Sequence, residues 1–407
     1  MSKRFNLDEK LILIFLLIVF SYSITVPAIH FLNNISVKIF FFLLVLVLNF
    51  SLFEILNRRI KLPDFLEFIF ILTVSSFAIS CFYINLENNS NFDSIVSIST
   101  YIINFFLFFI LLGKKFRSNN EKFDKFTNLI LYTAIFLSLV SVVYLILGIH
   151  YIPLYSHTSA GLFGHPNTAS MFYTICIPIL FYKFFSGKIT LPVFLSILFL
   201  FLLVLLFTFS RAGYIGVGVG ILIYTFYKSR ALFILVGLIV LLVATTIVLD
   251  FATSKVDSSA SRFLLMLSAI SVITASDSSF YWGNGPVNGV HIFIQEKIFF
   301  GNEPVPNPHN LLLMLSIQFG VIFTVLTSIS VLVLLIKGML LKFKNVNFKN
   351  DQRLSMCMTI IISLIIQNFF EDVVVNVLYY VMPMFFFFSG YVYYSLKFKD
   401  QLKAEEA

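Results

Sequence analysis

An all-α polytopic membrane protein, with about twelve transmembrane helices and one large extracytoplasmic loop, is the fold this sequence predicts on three observations. Composition is the first: 59% of the 407 residues are hydrophobic and 12% charged, with a mean hydropathy of +0.96, outside the range of a soluble domain of that length. The second is that the apolar residues gather into membrane-length runs such as 35–56. A bilayer core about 30 Å thick takes roughly 20 residues per helical span, and only helices or closed barrels satisfy the backbone in lipid. The third is the placing of lysine and arginine, which crowd into alternate connections.

In chain order the spans read 11–30, 35–56, 65–84, 95–113, 127–147, 167–185, 189–208, 212–227, 231–250, 309–336, 354–370 and 374–396. The first run is longer than a signal-peptide core and no clear small-residue cleavage motif follows it, so it is read as retained. With the N-terminus inside, the cytoplasmic segments begin with Lys3, Arg4 and Lys10, then Arg58, Arg59 and Lys61, then Lys114, Lys115, Arg117, Lys122 and Lys125. Lys183 and Lys188 follow, then Lys228 and Arg230, the group Lys337, Lys342, Lys344, Lys349 and Arg353, and finally Lys397, Lys399 and Lys403. These are 23 of the 28 basic residues, the bias of cytoplasmic loops. One missed or invented helix would reverse every later loop and destroy it. The expectation is therefore a single integral domain over 1–407 with both termini cytoplasmic. The net charge of +8 reads as an orientation signal, not as affinity for nucleic acid. Cys81, Cys176 and Cys357 each fall inside an apolar run, which predicts small core residues and neither a disulfide nor a metal site.

Five basic residues are left on the outer side: Lys38, Arg211, Lys255, Arg262 and Lys297. Lys38 can snorkel to an interface, and Lys255 and Lys297 belong to the long polar loop 251–308. Arg211 is different, because 207–213 leaves almost no connection between two spans and an ionisable residue near lipid depth usually faces a cavity or a partner. An interfacial anchor and an anion contact are the alternatives, and the reading adopted is the anion contact. Helix starts on the same side support it, since unpaired N–H groups and the positive dipole end favour anions. Ser210 is a candidate cap ahead of Arg211. Asn307 is a candidate cap with Pro308 at the first helical position and His309 and Asn310 in the first turn, and Gly164-His165-Pro166-Asn167 leads into the middle span. His309, held neutral by a helix N-terminus, is a candidate base. No His/Asp/Glu spacing fits a metal, and 282–289 reads as a turn-rich loop without the strand that a nucleotide-binding loop requires.

On these residues the chain resembles the O-antigen ligase and polymerase superfamily. The resemblance rests on Gly161-Leu162-Phe163-Gly164-His165-Pro166-Asn167, on Ser210-Arg211-Ala212-Gly213, on Arg262 followed by Gly283-Asn284-Gly285, and on His309-Asn310, in order over about 155–325. It implies a GT-C-like membrane glycosyltransferase with no cofactor, metal or nucleotide sugar. Such an enzyme, in the bacterial cytoplasmic membrane, moves a glycan from an undecaprenyl-diphosphate carrier to a glycan or glycolipid acceptor. A chain-length regulator and a flippase are implied partners. Arg211 and Arg262 would offset the leaving-group charge, with His309 as base or phosphate contact and Ser210, Asn310, His165 and Asn167 around the substrate. Glu371 and Asp372 are a second candidate for the base, or an ordinary helix-end acidic pair. The reading favours a polymerase of surface-polysaccharide repeat units over a ligase acting on lipid A-core. A protein-glycosylating relative would carry a further soluble domain. From another class, a twelve-span flippase or secondary transporter fits the topology, but the two halves share no visible repeat.

Overall fold

The computed structural model describes residues 100–147, 166–235, 256–296, 308–344, 351–370 and 381–406, with 163, 237–238 and single positions between 65 and 98. Every regular element among the described residues is helical. A π-helical stretch, Phe105–Leu112, runs into α1 (Gly113–Ser118), followed by α2 (Asn120–Ile146), α3 (Pro166–Phe185), α4 (Leu191–Phe207) and α5 (Arg211–Lys228). Then come α6 (Val256–Ile273), α7 (Asp277–Trp282), α8 (Asn288–Glu296), α9 (Leu311–Lys344), α10 (Gln352–Asn368) and α11 (Val381–Glu406). Three of these, α2, α3 and α9, are long and apolar enough to cross a membrane, and α4 and the stretch Phe263–Ile273 are shorter apolar helices. The expected spans 11–30 and 35–56 lie outside the described residues, and 65–84, 95–113, 231–250 and 374–396 are described only in part.

The boundaries follow local chemistry. α2 starts ahead of the expected span because the Asn119 side chain accepts from the Lys122 N–H and caps it. α10 starts where the Asp351 carboxylate accepts from the Arg353 and Leu354 N–H groups. α9 runs past the expected end at 336, because lysines suit a helix C-terminus and leave no reason to stop at Lys337. α3 has apolar residues on every side and is buried along nearly its whole length, as befits a helix enclosed by others. It packs against α2, α4, α5 and α10, and α5 packs in turn on α10. Glycines make that approach close. A Cβ on Gly216 would stand 2.8 Å from Gln367 Oε1 and one on Gly220 2.9 Å from Ser363 Oγ, while one on Gly213 would collide with Ser170. In lipid, where water does not drive helices together, such small residues let backbones meet.

Two features depart from the sequence expectation. First, the interval 251–308 is not simply loop: α6, α7 and α8 form within it, and Leu265, Ala269, Val272, Ile273 and Phe293 build a core with Ile317 of α9. Second, the segment read as the turn-rich loop 282–289 is a plug. α9 breaks at Gly320 (φ 82°, ψ 168°), and a break frees carbonyls that the helix would otherwise bond. Asn284 N–H donates to Ile317 O at 2.8 Å, Gly285 N–H to Gln318 O at 2.9 Å and Ser80 Oγ to Phe319 O at 2.8 Å. The fit admits only glycine: a Cβ on Gly320 would sit 2.6 Å from Trp282 N, and one on Gly283 (φ +80°) 2.5 Å from Gly320 N.

At the end that the lysine and arginine distribution assigns to the cytoplasm, Asp124 of α2 gathers Lys188 at 2.6 Å, Arg353 at 2.9 Å and Lys183 at 3.6 Å, and accepts from the Tyr182 hydroxyl. Asp351 meets Arg117 at 3.4 Å and its carbonyl accepts from Lys342 Nζ at 3.1 Å. These two aspartates clamp the ends of α1, α2, α3 and α10 through their carboxylates, and of α9 through the Asp351 carbonyl. Cys176 and Cys357 are free and buried; Cys81 lies outside the described residues.

Candidate functional site

The opposite ends of α3, α5, α9 and α10 hold the polar residues that the sequence singled out. α4 ends at Phe207, and the hairpin to α5 is closed by its own hydroxyls. Thr208 Oγ1 donates to Leu205 O at 2.7 Å and accepts from Ser210 N–H at 3.3 Å. Ser210, 3% exposed, caps α5 by accepting from Gly213 N–H at 3.2 Å, so Arg211 is the first residue of the helix, as the sequence predicts. That first turn holds no acidic residue. A guanidinium at the positive end of a helix opposes the macrodipole by about 0.3–1 kcal/mol, which sums two positive potentials at one point. Phe209, between the two helices, takes φ 50° and is 58% exposed.

A buried seam ties this hairpin to the core. Gln367, fully buried near the end of α10, donates from Nε2 to Ser170 Oγ at 2.9 Å and accepts at Oε1 from Thr174 Oγ1 at 2.6 Å. The Ser170 hydroxyl faces two acceptors, Ser210 Oγ at 3.0 Å and the carbonyl of Asn167 at 2.8 Å. It has a single proton to share between them. Asn167, at the second position of α3, thus enters through its backbone. Asn368 is also buried and donates from Nδ2 to Leu364 O at 2.7 Å.

The start of α9 departs from expectation. The helix begins at Leu311, and its cap is Asn310, whose Oδ1 accepts from Leu312 and Leu313 N–H at 3.0 and 3.1 Å. Asn307 lies outside the described residues, Pro308 precedes the helix, and His309 sits before the cap with φ 50°. The first-turn placement of His309 is therefore corrected, because Asn310 takes the N–H groups that would have faced it. Asn310 Nδ2 donates to Phe369 O at 3.2 Å. This fastens the His309-Asn310 corner to the end of α10, two residues beyond Gln367.

Asn167, Ser210 and Arg211 are thereby linked to His309 and Asn310 through α10. Arg262 lies in α6, which packs on α9 and α8; its side chain, and His165, Glu371 and Asp372, lie outside the described residues. Gln367, Ser170 and Thr174 were not singled out by the sequence reading. The available signal was a Gln-Asn pair closing the apolar run 354–366, and a Ser/Thr pair four residues apart on one face of α3. Among the described residues no three His, Cys, Asp or Glu side chains group as metal ligands. Comparison with family models, with curated proteins and with solved structures finds no match to this chain.

Proposed function

We propose that the chain is a membrane glycosyltransferase that moves a glycan from a polyprenyl-diphosphate carrier to an acceptor hydroxyl, most simply to extend a surface polysaccharide by repeat units. The observation that carries this reading is the Arg211 hairpin: a guanidinium at a helix N-terminus, on a buried polar seam that leads to the His309-Asn310 corner. Phe209 and His309 are the non-glycine residues with positive φ among the described residues, and both border this seam. Backbone strain of that kind collects at functional sites. In the reaction the acceptor oxygen bonds to the anomeric carbon as the carbon–phosphate oxygen bond breaks, and polyprenyl diphosphate departs with the electron pair. Arg211 and Arg262 offset the charge that develops on it. His309 takes the acceptor proton or grips the phosphate, Ser210 and Asn310 hold the two corners, and in-line attack inverts the anomeric centre. Asn167, His165, Glu371 and Asp372 complete the substrate surroundings.

The test is a set of Arg211→Ala, Arg211→Lys and His309→Ala variants expressed where the wild-type gene has been deleted. Arg211→Ala should reach the membrane at normal level while transfer falls about 10²–10³-fold, and lysine should rescue poorly because the bidentate fork is lost. Accumulated single repeat units mark a polymerase, and an accumulated lipid-linked polymer marks a ligase. Normal surface polysaccharide in all three variants would remove the reading.

The break at Gly320 favours a second reading, a transporter, since transporters coordinate ions with the carbonyls of broken helices. Here Asn284, Gly285 and Ser80 donate to those carbonyls, which leaves them ill placed to coordinate an ion.

A further inference from the structure

We propose that α6 is seated in the membrane, with the face formed by Phe263, Met266, Leu267 and Ile270 against lipid hydrocarbon, although the sequence assigns it to an extracytoplasmic loop. These residues are 61%, 40%, 40% and 46% exposed. Their spacing of three and four places them within an arc of about 100° on a helix. The opposite arc, Leu265, Ser268, Ala269 and Val272, is buried against α8 and α9. Nothing between 263 and 276 is charged, and a contiguous apolar face of this kind is rare on a surface bathed in water.

Bilayer lipid is the occupant because this face continues one that is already apolar. The buried side of α6 rests on Leu313, Ile317 and Val321 of α9. One turn beyond Val321, α9 exposes Val325, then Ile329, Leu332, Ile336 and Leu340, along a helix long and apolar enough to cross a membrane. The polarity along α6 gives the depth. After Ile270 the exposed positions become Ser271, Thr274, Ala275, Ser276 and Asp277, polar but for one alanine, so the helix leaves hydrocarbon at its C-terminal end. At its other end the apolar stretch begins at Phe263, directly after Arg262 in the sequence. The proposal stands whether or not the chain transfers a glycan.

The experiment places a bimane on Met266→Cys and on Thr274→Cys, with the full-length protein in phosphatidylethanolamine–phosphatidylglycerol nanodiscs. The Met266→Cys probe should be quenched by nitroxide-labelled acyl chains and shielded several-fold from aqueous iodide, and the Thr274→Cys probe should show the reverse. Equal iodide quenching at both positions puts α6 in water and overturns the proposal. Shielding of the Met266→Cys probe from both quenchers means that protein covers the face, and overturns it too. Should Met266→Cys not assemble, Ile270→Cys reads the same arc with the same two outcomes.

Discussion

Gln367 shows what one buried polar residue does in this bundle. Its amide links α3 and α10 at this end, and through Ser170 it reaches the cap of the helix that carries Arg211. Gln367→Leu keeps roughly the volume but removes the amide's bonds to Ser170 and Thr174, whose hydroxyls keep carbonyl acceptors within α3, so each lost bond costs about 0.5–1.5 kcal/mol. The variant should melt lower in detergent and should transfer less glycan per folded molecule. Thr359→Val, which alters another buried hydroxyl of α10 bonded only within its own helix, should retain transfer. Equal activity per folded molecule in the wild type and Gln367→Leu would mean that the seam has no bearing on Arg211.

The element that most shapes the molecule is α9, and its break is a demand of geometry. Gly320 combines φ 82° with backbone of Tyr281 and Trp282 where a side chain would go. Gly320→Ala therefore adds a steric collision to the left-handed strain. It should lower the thermal midpoint by far more than Gly187→Ala, whose φ of +69° faces open space and which carries only the left-handed cost of about 1–2 kcal/mol. A circular-dichroism melt of the two variants in one detergent makes the comparison. Similar midpoints would show that the 283–285 turn yields easily.

For the molecule as a whole, the carboxylate clamp and the span count each make a prediction. Asp124 precedes the apolar part of α2; burial alone would raise its pKa, but hydrogen bonds from Arg353, Lys188 and Tyr182 and the Arg353 charge outweigh it and hold the carboxyl well below 3.8. A depressed folded pKa contributes stability that is present above the unfolded value and is lost as pH falls through the folded one. Asp124→Asn should thus cost about 2 kcal/mol at pH 7, and the gap from wild type should narrow only below about pH 4. A gap that is the same at pH 7 and at pH 3 would exclude the clamp as its source. The twelve-span arrangement predicts that reporters fused after Asn302 read extracytoplasmic and those after Asn347 cytoplasmic. The same readout at both sites would end it.

The sequence by itself determined that the chain is helical and membrane-embedded, because hydropathy and span length are sums over local residues. It also located the caps made by close neighbours, as at Ser210. Asn310 displaced the expected cap because its side chain is the one that reaches the freed N–H groups while also bonding Phe369, fifty-nine residues away. Gln367, the filling of the Gly320 break and the apolar face of α6 were decided only by tertiary structure. Each depends on which segments meet, and a glutamine in an apolar run, a Gly-x-Gly turn or a short apolar stretch has no fixed partner until the helices pack.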